Sequence, residues 1–366
     1  MRTALIVLIL IHGIIHLFGF LKGFGFAEFN AISQPISRAN GLLWLLAFVL
    51  FVATILLNLI QSEFWWLCGL FAVIVSQTLI FTYWSDAKFG SLLNLIILLA
   101  VLTAYASFNF KNETKKDRIA LLKNAPIENE ERISLEAIQN LPPIVQKWLK
   151  TSGVIGTKRI FNVYLTKELQ MKLKPNQDNW NFGQAEQYFT IEKPAFIWNV
   201  NTEMNSFLKV VGRDKFADAK GEMIIKLFSL IPVVNAKNDN KTDQATLQRY
   251  LAEIVWFPSA ALSEYIKWET LDQYSAKATM TYKGIEGSGV FHFDSNGNFE
   301  KLTTMRYQDS NAEEPTQWTV IAKKTEQKNG IKIPVECEAS WELESGKWTW
   351  LKLKITDITY NVEKIQ

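Results

Sequence analysis

Cysteine is almost missing from this chain. Its 366 residues contain two, Cys68 and Cys337, which is too few for a disulfide framework or a thiolate zinc site. Histidine is nearly as scarce, at three. No cluster of thiol and imidazole ligands is present, so neither a metal nor a cofactor is expected. There is no Gly-x-Ser-x-Gly elbow, phosphate loop or dinucleotide fingerprint, and "GIEGSG" has the wrong glycine order. The stretch "DSNGNFE" (294–300) begins like a calcium loop but carries Phe299 where the sharp turn needs glycine. A net charge of +3 is too small to argue for nucleic acid as a partner. Internal repeats and low-complexity segments are lacking as well.

Charge is also missing from most of the first 110 residues, and here the absence is informative. Residues 3–21, "TALIVLILIHGIIHLFGFL", hold no formally charged side chain. At 1.5 Å per residue they span roughly 30 Å, the hydrocarbon thickness of a bilayer. The run is too long for a signal peptide, and no small-residue cleavage pattern follows it. Three more runs, 42–60, 64–84 and 91–108, are long enough to cross. Trp44, Trp65, Trp66, Tyr83 and Trp84 lie near their ends, where amphipathic rings favour the headgroup level. Residues 1–110 therefore read as a four-helix transmembrane domain with the lipid bilayer as its partner. Arg2, Lys111, Lys115, Lys116, Arg118 and Lys123 share one side, against Lys22, Arg38 and Lys88 on the other. The positive-inside rule then places both termini and the soluble part in the cytoplasm, at a bacterial inner membrane.

His12 and His16 share a face of the first helix, at i, i+4. The order of crossings brings Gln77 and Asn94 to the same half of the membrane, with Asp86 at its edge. Polar groups are costly in lipid, so these five are expected to meet inside the bundle. Interhelical hydrogen bonding is the expected outcome. Two histidines on one helix do not complete a metal shell.

Residues 109–132 are highly charged and contain Pro126, and the tract 111–140 reads as a juxtamembrane helix or linker. "LPPIVQKWLKTSGV" (141–154) has proline in its first turn and Gly153 past its end, which suits a short helix. From Lys158 the hydrophobic period changes to two, the signature of half-buried strands. Strands are expected over 160–173, 186–191, 195–204 and 207–216. After an ambiguous apolar run at 221–234 and a helix, they resume over 266–271, 275–283, 287–293, 299–308, 316–327, 332–344 and 347–363. Asn296-Gly297 is a type I′ hairpin signal, and 328–330 and 344–346 make similar turns. Successive hairpins imply an antiparallel meander. The single histidine here, His292 in "GVFHF", is read as structural.

The helix lies over 243–257, with Asp243 as its N-cap and Pro258 as its stop. Leu247, Tyr250, Leu251, Ile254 and Val255 form a core face. Arg249, Glu253 and Trp256 occupy a second face, which Phe257 extends. Large aromatics on both sides place the helix inside the curve of a large sheet. The fold class is thus a membrane all-α four-helix bundle followed by an α+β soluble domain at 141–366. That domain is a curved antiparallel half-barrel holding one main helix. The candidate ligand-binding residues are Arg249, Glu253, Trp256, Phe257, Arg213, Asp214 and Tyr188, around an apolar pocket for a lipid or other amphiphile. An alternative is hydrolysis by a pair among Asp214, Asp218, Glu222 and Glu253; another is a structural or partner-docking role. No catalytic residue is assigned.

The motifs "GRDKFADAKGEM" (212–223), "RYLAEIVWFPSAAL" (249–262), "IKWETLD" (266–272), "ATMTYKG" (278–284), "GIKIP" (330–334) and "WTWLKLKITDITYNV" (348–362) resemble an uncharacterised bacterial family, the domain of unknown function numbered 6544. The likeness runs over about 140–364 and leaves the membrane part outside. It implies no activity. A curved sheet holding a helix also resembles the half-barrel of lipoprotein carriers, in architecture only.

Overall fold

Four helices and thirteen strands dominate the computed structural model, which describes residues 2–123, 131–203 and 208–363. The chain divides into two units: Met1–Asn112 with Phe228–Leu230, and Glu113–Leu227 with Ile231–Gln366.

In the first unit, α1 (Arg2–Gly23), α2 (Arg38–Leu59), α3 (Trp65–Thr82) and α5 (Gly90–Lys123) are each long and apolar enough to cross a membrane. A four-residue helix, α4 (Trp84–Ala87), lies between the last two. The long helices are apolar nearly all round, as expected of helices solvated by lipid. Val7, Leu10, Leu42, Leu56, Phe71 and Leu95 point outward, while Ile9, Phe51, Ala72, Val73, Ile97 and Val101 pack inside. Gly19 permits the tightest approach: a β-carbon there would lie 2.1 Å from the Trp44 ring. Trp44 therefore stacks close to α1, beside His16.

The second unit is one antiparallel sheet. It comprises β1 (Asn162–Met171), β2 (Asn181–Thr190), β3 (Ala195–Glu203), β4 (Lys209–Ala217), β5 (Lys220–Leu227), β6 (Ile231–Lys237), β7 (Ile266–Asp272), β8 (Ser275–Tyr282), β9 (Ile285–Phe293), β10 (Phe299–Arg306), β11 (Thr316–Lys328), β12 (Ile331–Leu343) and β13 (Gly346–Tyr360). The order is β6-β5-β4-β3-β2-β1-β13-β12-β11-β10-β9-β8-β7. Two meanders are thus joined where β1 pairs with β13, and the edges β6 and β7 stay apart, so the half-barrel is open. The ambiguous run at 221–234 is a hairpin, β5 into β6.

The segment linking those two edges is α7 (Asn240–Glu253), followed by a 3-10 turn at Ile254–Trp256. Leu247, Tyr250, Leu251, Ile254, Val255 and Phe257 join the core on the concave face of the sheet. Gly221 lets the sheet close on this helix, since a β-carbon there would sit 2.6 Å from the Thr242 carbonyl oxygen. The helix starts one turn earlier than its sequence implies. Asp239, not Asp243, is the N-cap, accepting from the amides of Lys241 and Thr242. Asp243 is fully buried and accepts from the Gly221 amide and from Lys220. A carboxylate in a first helical turn answers sheet donors as readily as helix ones, which hides the true cap.

One further expectation is revised. The Asn296-Gly297 turn is not type I′, because only Gly297 has a positive φ. Asp294 instead accepts from the amides of Asn296 and Asn298 and holds a longer loop. Type I′ geometry, with both central residues at positive φ, occurs at Asn329-Gly330 and Lys283-Gly284. Within the tract read as a helix or linker, 111–140, α5 runs unbroken to Lys123. Residues 124–130, with Pro126, lie outside the described residues. Ile133 and Ile138 are buried in the sheet core. The short helix α6 (Pro143–Thr151) covers that core with Ile144, Val145, Trp148 and Leu149.

Candidate functional site

Strand parity decides which side chains share the concave face. Along β1 the inward residues are Val163, Leu165, Lys167, Leu169 and Met171, and all are buried. A lysine in that series is unusual, and it marks a polar layer across the interior. Lys167 Nζ donates to Gln187 Oε1 at 2.5 Å, lies 3.7 Å from Glu253 Oε1, and sits 3.9 Å over the Trp256 ring. Glu253 also accepts from Gln187 Nε2 at 2.7 Å and Arg249 Nε at 3.1 Å. Arg249 pairs with Asp214 and covers the rings of Phe196 and Trp198. Arg306, on β10, donates Nε to the Ala245 carbonyl and lies 4.9 Å from Trp318 and 5.6 Å from Trp341.

Three cations and two carboxylates therefore share one buried layer. Burial pushes Lys167 down to about 7, against the pull of Glu253. It pushes Arg306 down to about 10, against Asp214, and raises the Asp214 carboxyl, against Arg249. Lys167 thus binds its proton more weakly in the fold than in the unfolded chain, where it titrates near ~10.4. Between those values the unfolded state holds the extra proton, so stability rises with pH. The buried Cys337 thiol, raised to about 12, opposes this in part above about pH 8, because an unfolded thiol ionises at about 8.5. The expected outcome is greater resistance to urea at pH 9 than at pH 7, with Lys167→Met flattening the difference.

Of the seven residues singled out in the sequence, Arg249, Glu253 and Asp214 meet here, and Trp256 and Phe257 pack beside them. Trp256 is buried and donates Nε1 to the Pro334 carbonyl; Phe257 packs against Phe189 with the rings tilted by 51°. Arg213 and Tyr188 are on the other face. Arg213 pairs with Asp117 and Glu222 at 2.7 and 2.8 Å. Tyr188 packs on Tyr164 and Leu121 under Arg118. Adjacent strand residues point to opposite faces, so Arg213 and Asp214 never shared a site. As for the other carboxylates, Glu222 is held by Arg213 and Asp218 pairs with Lys283.

Beyond the polar layer the concave face is apolar again. Leu169, Met171, Ala185 and Val200 are buried, and Trp198, Leu351 and Leu353 pack on them with part of their surface exposed. Trp348 and Trp350 continue this surface, and their indole N–H groups lack partners. Trp348 also lines a cleft of about 550 Å³ at the rim, between the 172–180 loop and the β12–β13 turn. The cleft wall contains Lys172, Lys347, Lys352, Trp180, Asp178 and Glu338. Lys172 and Lys352 each lie 5.0 Å from the Trp180 ring.

In the helical unit, the five singled-out residues divide similarly. His12 Nε2 lies 2.9 Å from Asn94 Oδ1 and 3.2 Å from Ser76 Oγ. Asn94 Nδ2 donates to Gln77 Oε1 at 3.0 Å, and Gln77 donates to Ser91. His16 donates Nδ1 to the His12 carbonyl. Asp86 is apart, accepting from Ser33 and Gln34 at a loop. Ser76 and Ser91 completed this network without being anticipated; serine in an apolar run was the available signal.

Comparison with known proteins adds the following. No curated protein sequence matches. A LolA superfamily protein from Nitrosomonas europaea is similar in structure at 10% identity, over 61% of this chain and 94% of its own, with a TM-score of 0.34. A β-barrel-like protein of domain of unknown function DUF1849 from Brucella abortus is similar at 8% identity, over 57% and 100%, with a TM-score of 0.26. Residues 139–360 match the model of DUF6920, a family of unknown function. The domain number suggested by the motifs, 6544, is thereby corrected, and the chain belongs to family DUF6920.

Proposed function

We propose that this chain is a membrane-anchored binder of anionic amphiphiles. The acyl or other apolar part lies on the concave layer of Leu169, Met171, Val200, Leu351 and Leu353. The buried layer of Lys167, Arg249, Arg306, Asp214 and Glu253 closes the floor beneath it. The headgroup sits over the rim, against Lys172, Lys347 and Lys352; Lys352 lies between Leu351 and Leu353 and so faces the outer side of the sheet. One observation carries this reading: Trp348 belongs both to the basic rim cleft and to the apolar interior. An apolar surface with a few convergent polar groups at one end is what an amphiphile requires. Four helices of membrane-crossing length in the same chain put such molecules within reach.

The test uses the full chain in nanodiscs and two fluorescent lipids with the same acyl chains, one with an anionic and one with a zwitterionic headgroup. The anionic lipid is expected to bind tighter, with affinity falling as salt rises. Reversal of all three rim lysines to glutamate should weaken it at least tenfold and leave the zwitterionic lipid unchanged. Lys347 is exposed, whereas Lys352 pairs with Glu338 at 3.6 Å, so unchanged zwitterionic binding doubles as the check that the fold survives. Equal binding of both lipids, or indifference to the reversal, sinks the reading.

A further inference from the structure

The helical unit contains a second cavity, of about 540 Å³, and His12, His16 and Trp44 form part of its wall. Ile15, Phe18, Phe29, Ile80, Phe89 and Leu93 are among its apolar lining, and Glu28, Asn30 and Asp86 line it as well. Three buried polar atoms there lack partners: His12 Nδ1, His16 Nε2 and Trp44 Nε1.

Hydrogen bonding fixes what each of these atoms can do. His16 Nδ1 faces the His12 carbonyl at 2.9 Å. A carbonyl only accepts, so the proton is on Nδ1 and Nε2 keeps a bare lone pair. The Asn94 amide is oriented by its own donations to Ser76 Oγ and Gln77 Oε1. Its oxygen therefore faces His12 Nε2, which carries the proton, and His12 Nδ1 is the second bare lone pair. Trp44 supplies an unanswered donor, its ring centroid 5.1 Å from that of His16. His12, His16 and Trp44 thus present two acceptors and one donor with no protein partner. A carboxylate has no donor for the imidazoles, and an ammonium has no acceptor for the indole. A hydroxyl answers both, since it donates to an imidazole lone pair while its oxygen accepts from an indole.

We propose that this cavity binds an apolar molecule through hydroxyl groups, with His16 and Trp44 gripping one hydroxyl and His12 accepting from a second donor. A hydroquinone with an apolar tail and a hydroxyl-bearing lipid such as a diacylglycerol share this chemistry. The site is independent of the rim cleft of the sheet unit.

The experiment compares each probe with a partner that lacks the donor: a short-chain hydroquinone with its quinone, and a diacylglycerol with its acetylated ester. All are titrated into the full chain in nanodiscs. At least one hydroxyl form is expected to bind tenfold or more tighter than its capped partner, because a site built around a hydroxyl rejects the analogue without it. Which pair shows the difference identifies the source. His16→Phe should abolish that preference; the wild-type comparison stands even where this variant folds poorly. Failure of every probe to bind, or equal binding of hydroxyl and capped forms, overturns the proposal.

Discussion

Glu253→Ala is expected to destabilise the sheet unit by about 3–5 kcal/mol, the usual cost of breaking a buried ion pair from one side. Glu253 is 8% exposed and accepts from Arg249 and Gln187, with Lys167 Nζ at 3.7 Å. Without it, three cations face the single carboxylate of Asp214, whose Oδ1 already lacks a partner. Lys167, 2% exposed, is too deeply buried for water to compensate. The measurement is urea unfolding of the full chain in detergent, followed by far-UV circular dichroism. Glu253→Gln keeps the acceptor oxygen and the shape and should recover part of the loss. A change below about 1 kcal/mol in the alanine variant, the scale of an exposed pair, would show that water reaches this layer.

Trp256→Ala should be comparably severe, at about 3–5 kcal/mol. Its indole fills the space between the end of α7 and β12, with Nε1 on the Pro334 carbonyl. The ring also carries Lys167 at 3.9 Å, and the Trp256 carbonyl accepts from the Tyr360 hydroxyl at 2.8 Å. Truncation leaves a cavity, an unmet carbonyl and a buried ammonium without its aromatic neighbour. Trp256→Phe retains most of the volume and the ring, and should lose less than half as much. The same unfolding assay compares the two. Equal, small losses in both would mean that the segment after α7 is loosely held. Lost ligand binding in Trp256→Ala would report unfolding rather than a missing contact, which is why the rim lysines are the better probes.

Much of this architecture was legible in residue order. Four apolar runs of sufficient length specify four helices, because a helix in lipid must be apolar nearly all round. The period-two pattern specifies strands, and within each strand it also separates the two faces. By that rule Arg213 and Asp214, one residue apart, belong to different faces, and Lys167 stands out on an apolar one. The pattern therefore held more about the site than the motif around α7 suggested. Asp239 was harder to read as the N-cap, because Asp243 looks equally suitable until Gly221 and Lys220 are seen to claim it.

Local sequence determined the helices, the strands and the side of each strand that turns inward, since these depend on neighbours a few residues away. Tertiary structure alone decided that Arg306, Lys167, Glu253 and Asp214 share one layer, and that Trp348 joins the rim to the interior. Such meetings depend on the pairing register of strands up to 200 residues apart, as between β1 and β13. Register is set by the packing of the whole sheet, and no short window of sequence contains it.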